Sequence, residues 1–217
     1  ATNSPRPSMD IYTVNNMSDT YPMTDQGTYH HGNLKEALVQ AGLDILHQQG
    51  LSALTLRACA VRAGVSHTAP KNHFGNLAGL MSAIAARGYQ KLTETMQTGL
   101  PQDATRADRR QAALGGYVDF AAQNPGLFEL MFSTQRTNGD SPELMEQANR
   151  CFDVLRDVSE GLVWDKSDAP DAALRAQIMH WSMVHGFAQL TASGKLTKGA
   201  MKHLQIFDVF PQFDYKA

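Results

Sequence analysis

Residues 55–74 contain a dense set of side chains that can donate hydrogen bonds or positive charge to a polar, anionic partner. Gly64 supplies the backbone conformation that a tight turn needs, and Val65 is an apolar plug beneath that turn. Thr55 can cap a helix before the turn, and Ser66 can cap a helix after it. The segment therefore has the form of a helix-turn-helix, which presents the first residues of its second helix to a DNA major groove. On the turn alone, ordinary packing of two short helices in a bundle is an equally good interpretation.

The polar residues of this segment suit different parts of a DNA duplex. Asn72 can pair with adenine, Thr68 can touch a thymine methyl group, and Lys71 suits a phosphate. His73 can donate to a phosphate, or it can equally pack inside the domain. The candidate DNA-binding residues are Thr55, Arg57, Ser66, His67, Thr68, Lys71, Asn72 and His73.

The formal charge is distributed unevenly along the chain. The whole chain has 19 Lys and Arg against 21 Asp and Glu, and this net charge of -2, taken alone, argues against a nucleic-acid binder. Residues 28–92, however, contain six Lys or Arg and two acids, a charge of +4, so the remainder carries -6. The positive charge therefore coincides with the helix-turn-helix, as contact with phosphates requires.

Apolar residues recur at three- and four-residue steps through most of the chain, and no stretch sustains a period of two. This pattern predicts an all-α protein. We expect a disordered tail at 1–27, a three-helix helix-turn-helix domain at 28–76 and a second helical domain at 77–217. The predicted helices cover about 33–49, 55–63, 66–74, 77–97, 108–123, 125–132, 142–163 and 172–192, with one more short helix within 197–210.

Two separated groups of residues resemble the tetracycline-repressor (TetR) family of bacterial transcriptional regulators. The residues that resemble its DNA-binding domain are Leu51-Ser52-Ala53-Leu54-Thr55-Leu56-Arg57, Ala63-Gly64-Val65-Ser66 and His73-Phe74. The residues that resemble the ligand domain of one subgroup are Tyr117-Val118-Asp119-Phe120-Ala121, Asn124-Pro125-Gly126-Leu127-Phe128, Leu130-Met131-Phe132, and Trp181 with His185-Gly186, the Trp-His-Gly signature. The resemblance covers about residues 29–195.

The resemblance implies an effector cavity in the C-terminal domain, bordered by the helix of Trp181 and His185. These two residues are four positions apart, so they share a helix face. The candidate ligand-binding residues are Tyr117, Phe120, Phe128, Met131, Phe152, Trp181 and His185, with Phe132 and Leu155 as further candidates for the wall. Each of the apolar ones, taken singly, fits plain core packing better than contact with a ligand. The ten methionines favour an apolar or amphipathic effector.

The function that the resemblance implies is that of a ligand-responsive repressor, released from a palindromic double-stranded DNA operator by a small molecule. It also implies a homodimer, in which helices 142–163 and 172–192 form a four-helix interface. The chain departs from the family where Lys71-Asn72 replaces a common Tyr-Arg pair, and where Leu77 replaces a common Lys. The alternative is a small-molecule-binding helical protein with a degenerate DNA reader.

Other classes of protein find less support in the sequence. We expect no enzyme, because no nucleophile–base pair or cofactor loop is recognisable, and we expect no cofactor and no metal. Two cysteines are too few for a disulfide framework and suit a reducing compartment. No apolar run reaches the roughly 20 residues that cross a bilayer, so we expect a cytoplasmic protein without membrane contact. Tyr29, His30 and His31 are candidates for an arm in the minor groove.

Overall fold

The computed structural model describes residues 31–163, 169–211 and 213, and its regular structure there is helical, which confirms the predicted all-α fold. The α-helices of these residues are α1 (His31–Gln49), α2 (Leu56–Arg62), α3 (Ala69–Phe74), α4 (Leu77–Met96), α5 (Arg106–Gln123), α6 (Pro125–Met131), α7 (Pro142–Ser159), α8 (Ala172–Ala192) and α9 (Ile206–Val209). Short 3-10 helices occupy Leu51–Ala53 and Gly199–His203. The predicted tail at 1–27, with Tyr29 and His30, lies outside the described residues.

Helices α1, α2 and α3 form an N-terminal head, and α2 and α3 are joined by the predicted turn. Thr55 begins α2 by accepting a hydrogen bond from the Ala58 amide at 3.0 Å. Ala60 is fully buried, and its carbonyl accepts a hydrogen bond from the Val65 amide at 3.0 Å. Between them Gly64 has a φ of 67°, a left-handed conformation that glycine adopts without strain. The structure therefore confirms both the cap at Thr55 and the tight turn.

Helix α4 contributes to the core of both halves of the molecule. It contacts α1 and α3 of the head, and it also contacts α5, α6 and α7. Asn76 caps its start by accepting a hydrogen bond from the Gly79 amide at 2.9 Å. Leu80, Ile84 and Leu92 are fully buried along its length. One continuous apolar core therefore joins the head to the C-terminal helices through α4.

Helix α5 packs closely against the end of α4 and along α8. Gly116 permits this approach, because a Cβ atom there would lie 2.5 Å from the Thr95 carbonyl oxygen. Tyr117 and Phe120, which follow on α5, are each only 1% exposed. The close contact between α4 and α5 thus fixes the depth at which the Tyr117 side chain enters the core.

The C-terminal helices differ in detail from the prediction. Helix α7 ends at Ser159 rather than near 163, because Glu160 adopts an extended conformation and Gly161 has a φ of 72°. Beyond α8, the aromatic tail that the sequence left unplaced packs partly inward: the Phe210 ring centroid lies 5.5 Å from that of His180. Among the described helices, none combines the length and apolar character needed to cross a membrane.

Candidate DNA interface and ligand cavity

The candidate DNA-binding residues all lie on the surface of the head. They occupy the start of α2, the turn after it and the outer side of α3. We call them the reading face: Thr55, Arg57, Ser66, His67, Thr68, Lys71, Asn72 and His73, every one of which is exposed.

The predicted helix cap at Ser66 is wrong. Helix α3 begins only at Ala69, and the Ala69 amide donates to the Ser66 carbonyl at 3.1 Å. A capping hydroxyl at Ser66 would accept from this same Ala69 amide, but the Ser66 carbonyl already does so. Residues 66–68 therefore form a turn before the helix. The Ser66 hydroxyl instead lies 3.2 Å from Thr68 Oγ1. His67 and Thr68 are therefore presented from a turn, and only Lys71, among the cations, from the helix itself.

Helix α3 is oriented by two small residues on its inner side. Ala69 and Pro70 are buried against the rest of the head. Pro70 lies in the first turn, where its missing amide costs least, as the sequence predicts. With these residues facing inward, Lys71 and Asn72 are exposed to solvent. Gly75, with a φ of 74°, ends the helix after six residues.

Several cations of the head and of α4 already have partners. The Lys35 ammonium donates to the Glu143 carboxylate at 2.8 Å and ties α1 to α7. The Arg87 guanidinium donates to the Glu36 carboxylate at 2.7 Å and ties α4 to α1. These charges are compensated within the protein, so they are less available to a polyanion.

The two cations of the reading face are in a different state. Arg57 and Lys71 have no hydrogen bond and no carboxylate partner in the described part of the chain. The sequence from 45 to 93 contains no Asp or Glu at all. The reading face is therefore a surface of uncompensated positive charge and neutral hydrogen-bonding groups, which suits phosphates and base edges.

A cavity of about 210 Å³ lies between α4, α5, α7 and α8. Five aromatic rings contribute to its wall: Tyr89, Tyr117, Phe132, Phe152 and Trp181. Its other lining residues are Ala148, Asn149, Cys151 and Leu155. Asn149 is exposed on α7, so the cavity opens to solvent on that side. No lining residue is charged, so the surface of the cavity is mostly apolar.

A short chain of hydrogen bonds borders the cavity. The Trp181 indole N–H donates to the Tyr117 hydroxyl at a long 3.4 Å, and the Tyr117 hydroxyl lies 3.0 Å from His185 Nδ1. Burial lowers the pKa of His185, which favours the neutral imidazole, and the tautomer of that ring sets which of the two groups donates in the Tyr117–His185 bond. Burial likewise raises the pKa of Tyr117, so its hydroxyl stays protonated. The polar groups offered to the cavity are thus uncharged.

The structure brings together only some of the predicted ligand-binding residues. Tyr117, Phe152 and Trp181 line the cavity, and Phe132 and Leu155 do so as well. His185, Phe120, Phe128 and Met131 do not line it.

The wall is supported from behind by His185, Phe128 and Met131. His185 holds the Tyr117 hydroxyl, and the Phe128 ring stacks on the His185 imidazole with centroids 5.3 Å apart. The Met131 carbonyl accepts a hydrogen bond from the Tyr89 hydroxyl at 3.0 Å. Tyr89 and Cys151 were missed from the sequence, because nothing local distinguishes a residue that faces a cavity from one that faces plain core.

A buried Ser–His pair is a second finding that the sequence did not predict. Ser159 Oγ lies 2.9 Å from His180 Nδ1 and donates to the Leu155 carbonyl at 2.6 Å. Ser159 is 4% exposed and His180 is fully buried, so the pair lies within the protein interior. Burial lowers the pKa of His180 to about 4, with the nearby charge of Arg110 as a smaller cause. The pair is therefore structural.

In the described residues, no three His, Cys, Asp or Glu side chains are grouped to hold a metal.

Taken together, a helix-turn-helix head and a helical domain with an internal cavity define a class of two-part, helical DNA-binding proteins. Residues 110–209 match the family model described as the tetracyclin repressor-like C-terminal domain. This part of the chain is therefore a C-terminal domain of the tetracycline-repressor type.

Relatives of known sequence and structure extend the similarity over most of the chain. The chain is 25% identical over 162 residues to the uncharacterized HTH-type transcriptional regulator YobS of Bacillus subtilis. The matched stretch covers 74% of this chain and 80% of that protein. It is 27% identical over 160 residues to the uncharacterized HTH-type transcriptional regulator Rv0681 of Mycobacterium tuberculosis, covering 74% and 71%. A solved structure of a protein of unknown function from Rhodococcus sp. RHA1 is 26% identical, with a TM-score of 0.65, covering 85% of this chain and 94% of that one.

Proposed function

We propose that this transcriptional regulator is a cytoplasmic homodimer that binds a pseudo-palindromic operator and releases it when a small molecule fills the cavity. The observation that carries the proposal is the contrast between compensated and uncompensated cations. Lys35 and Arg87 are neutralised by carboxylates, whereas Arg57 and Lys71 stand free on the reading face in the described part of the chain. Free cations on the exposed side of a helix-turn-helix are what phosphate contact needs.

The roles within the reading face follow from position and chemistry. Arg57 and Lys71 bind phosphates, and Asn72 reads an adenine edge through its amide. Thr68, presented from the turn before α3, contacts a base edge or a thymine methyl group. The Lys71-Asn72 pair thus takes the place of the Tyr-Arg pair that is common in the family. The Lys71 ammonium offers a point charge where the tyrosine ring or the planar guanidinium would make contact.

Dimerisation is supported by the outer face of α8. Leu174, Ile178, Gly186 and Leu190 recur at multiples of four residues and are all exposed. A Cβ atom at Gly186 would meet nothing within 4 Å, so this face is uncovered in the single chain. An apolar helix face of this kind suits pairing with its own copy across a two-fold axis.

Helix α7 was predicted to share this interface, and its surface is of another kind. Its exposed side carries the ion pairs Glu146–Arg150 at 2.6 Å and Asp153–Arg156 at 2.7 Å. Charged residues are depleted in the core of dimer interfaces. We therefore place α8 at the centre of the interface and α7 at its edge.

Release by an effector requires that the cavity and the head be mechanically linked. Tyr89 lines the cavity from α4, and the same helix begins at Leu77, three residues after the end of α3. A ligand that displaces Tyr89 shifts α4 and with it the spacing of the two heads in the dimer. The ligand must bind the shifted state better by a few kcal/mol to release most of the DNA.

DNA binding is tested by fluorescence anisotropy with labelled duplexes from the region upstream of the gene. We expect specific binding. The logarithm of the observed association constant should fall linearly with the logarithm of salt concentration, and the slope should steepen by about 0.9 for each phosphate contacted. Absent or salt-insensitive binding contradicts the proposal and favours the alternative of a helical ligand-binding protein with a degenerate reader.

The interface is tested by sedimentation equilibrium with two matched variants. Ile178→Asp, on the apolar face of α8, is expected to give a monomer, because it buries an unpaired carboxylate in the interface. Met145→Asp, at a residue of α7 that is 51% exposed, is expected to remain dimeric. A monomeric Met145→Asp beside a dimeric Ile178→Asp would assign the interface to α7 instead.

A further inference from the structure

We infer that the cavity binds an uncharged, single-ring molecule with one hydroxyl group, which bridges Trp181 and Tyr117. This inference rests on the proposed function, in that it names the chemical class of the effector. It is carried by the size of the cavity, the absence of charge from its lining and the geometry of the hydrogen-bond chain at its border.

The volume of the cavity limits the ligand to about one ring. In other proteins an apolar cavity of about 150 Å³ holds one benzene molecule. This cavity measures about 210 Å³, which leaves room for one ring and a small substituent. Cavities for larger, drug-sized ligands start at about 300 Å³.

The lining excludes a charged ligand. No Asp, Glu, Lys or Arg lines the cavity, so a buried carboxylate or ammonium would find no opposite charge. The Cys151 thiol is protonated, since burial raises its pKa to about 12. His185, behind Tyr117, is held neutral by burial, which lowers its pKa.

A cation held by the aromatic rings is the strongest competing occupant, because rings such as Trp181 and Phe152 attract cations. The polar edge of the cavity opposes it. Trp181 presents an N–H donor, whose positive end repels a cation, and no carboxylate compensates the charge. The rings therefore suit the face of a neutral aromatic molecule, which stacks or packs edge-on.

The hydrogen-bond chain leaves a place for one hydroxyl. Trp181 Nε1 and the Tyr117 hydroxyl oxygen are 3.4 Å apart, longer than the usual 2.9–3.0 Å for N–H to oxygen. The Tyr117 hydroxyl lies 3.0 Å from His185 Nδ1, and in either tautomer of His185 the Tyr117 oxygen has a lone pair that can accept once the ligand takes over the indole N–H. A ligand hydroxyl can accept from the indole N–H and donate to the tyrosine oxygen, and so make two better bonds than the one it replaces.

The test is isothermal titration calorimetry of the purified full chain with phenol, benzene, benzoate and phenyltrimethylammonium as probes. Phenol is expected to bind at least about tenfold more tightly than benzoate or phenyltrimethylammonium, because each ion loses its hydration without a partner. Phenol is also expected to bind about fivefold or more tighter than benzene, since only phenol satisfies the indole N–H.

Three variants place these differences at the cavity. Trp181→Phe removes the N–H and is expected to reduce the preference for phenol over benzene to within about twofold. Ala148→Phe fills the cavity and abolishes binding of both probes. Phe207→Leu, at an exposed aromatic residue that does not line the cavity, leaves both affinities unchanged. Circular dichroism confirms that each variant is folded.

The outcomes separate this inference from the proposed function. Three results overturn the inference without contradicting the proposed DNA-binding function. They are tighter binding of benzoate or phenyltrimethylammonium than of phenol, an unchanged preference for phenol over benzene in Trp181→Phe, and no phenol binding by a chain that binds DNA. Phenol binding that does not lower the DNA affinity supports the ligand class and contradicts release by an effector.

Discussion

The reading face and the cavity are built in opposite ways. The reading face takes all of its residues from the single stretch 55–73, and all of them are exposed. The residues that line the cavity come from α4, α5, α7 and α8. They range along the sequence from Tyr89 to Trp181. A surface for a polyanion needs only exposure and free positive charge, so one local motif specifies it. A pocket for a neutral molecule needs walls from distant segments, so packing specifies it.

This difference has a consequence for mutations. Apart from Thr55, which caps α2, substitutions on the reading face remove contacts to a partner and leave the free energy of unfolding nearly unchanged, because the side chains touch little of the protein. Substitutions around the cavity change the packing of the core, and their first effect is on stability.

Removal of Lys71 and Asn72 is the strongest way to separate the two regions. The double variant Lys71→Ala, Asn72→Ala is expected to lower specific DNA affinity at least about a hundredfold, because each contact contributes about 1–3 kcal/mol. Its thermal midpoint should stay close to that of the wild type. Fluorescence anisotropy and circular dichroism melts measure the two quantities.

A matched control removes a cation that is already compensated. Lys35→Ala loses the same charge from the head, but Lys35 is paired with Glu143. Its DNA affinity should change by less than about threefold, and its salt dependence should be unchanged, whereas Lys71→Ala alone lowers the salt slope of the dimer by about two, roughly one for each subunit. Equal losses in the two single variants contradict the assignment of the reading face.

The pH dependence of stability tests the buried side of the comparison through His180. Its folded pKa of about 4 lies below its ordinary value of 6.5, so folding favours the neutral imidazole. The stability that the neutral His180 contributes is fully present above about pH 6.5. It is lost as the pH falls towards 4, and the free energy of unfolding then decreases by about 3 kcal/mol. Urea unfolding of the wild type and of His180→Gln measures this.

The variant isolates His180 from the carboxylates that titrate in the same range. Between pH 7 and pH 4 the wild type should lose more of its free energy of unfolding than His180→Gln does. His203→Gln, at an exposed histidine, should behave like the wild type. Equal losses in wild type and His180→Gln would assign the acid sensitivity to other groups.

Two adjacent glycines of α5 give a finer test of how the cavity is positioned. Gly116→Ala places a Cβ atom 2.5 Å from the Thr95 carbonyl oxygen and should destabilise the fold by about 1–3 kcal/mol. Gly115→Ala meets only the Phe207 ring at 4.0 Å and should stabilise by up to about 1 kcal/mol through helix propensity. Thermal unfolding of both variants measures the difference. The same sign of change in both would show that α4 and α5 are not in this contact.

The ion pair between Lys35 and Glu143 is expected to have the weakest effect. Both side chains are about half exposed, at 50% and 54%, so solvent screens the attraction. A double-mutant cycle with alanine at both positions should give a coupling energy below about 1 kcal/mol in denaturant unfolding. A coupling of several kcal/mol would mean that this pair, rather than the shared core along α4, holds the head to the C-terminal helices.

The sequence predicted the head because its signals are local. Gly64 and Thr55 act through the backbone within a few residues, and the structure confirms both the turn and the cap. Ser66 was misjudged as a cap, since the sequence could not show that its own carbonyl already accepts from Ala69. The reading-face roles of Lys71 and Asn72 remain predictions, supported by exposure and by the absence of acidic neighbours.

The cavity was predicted less completely because it depends on tertiary contacts. Trp181 and His185 were paired by their four-residue spacing, yet it is Tyr117, 64 residues from Trp181, that joins them. Tyr89 and Cys151 face the cavity from α4 and α7 without any distinguishing local pattern. Periodicity identifies the inner face of a helix, but not whether that face meets another side chain or an empty space.

Selection of bound duplexes from a random-sequence DNA pool by the purified chain tests the central claim most directly. We predict enrichment of a two-fold symmetric sequence whose half-sites lie about one helical turn, or a multiple of it, apart. We also predict that the enrichment is lost both in Lys71→Ala, Asn72→Ala and in Ile178→Asp. No enrichment, or an asymmetric site bound equally well by the Ile178→Asp variant, would contradict a dimeric regulator that reads DNA through this face.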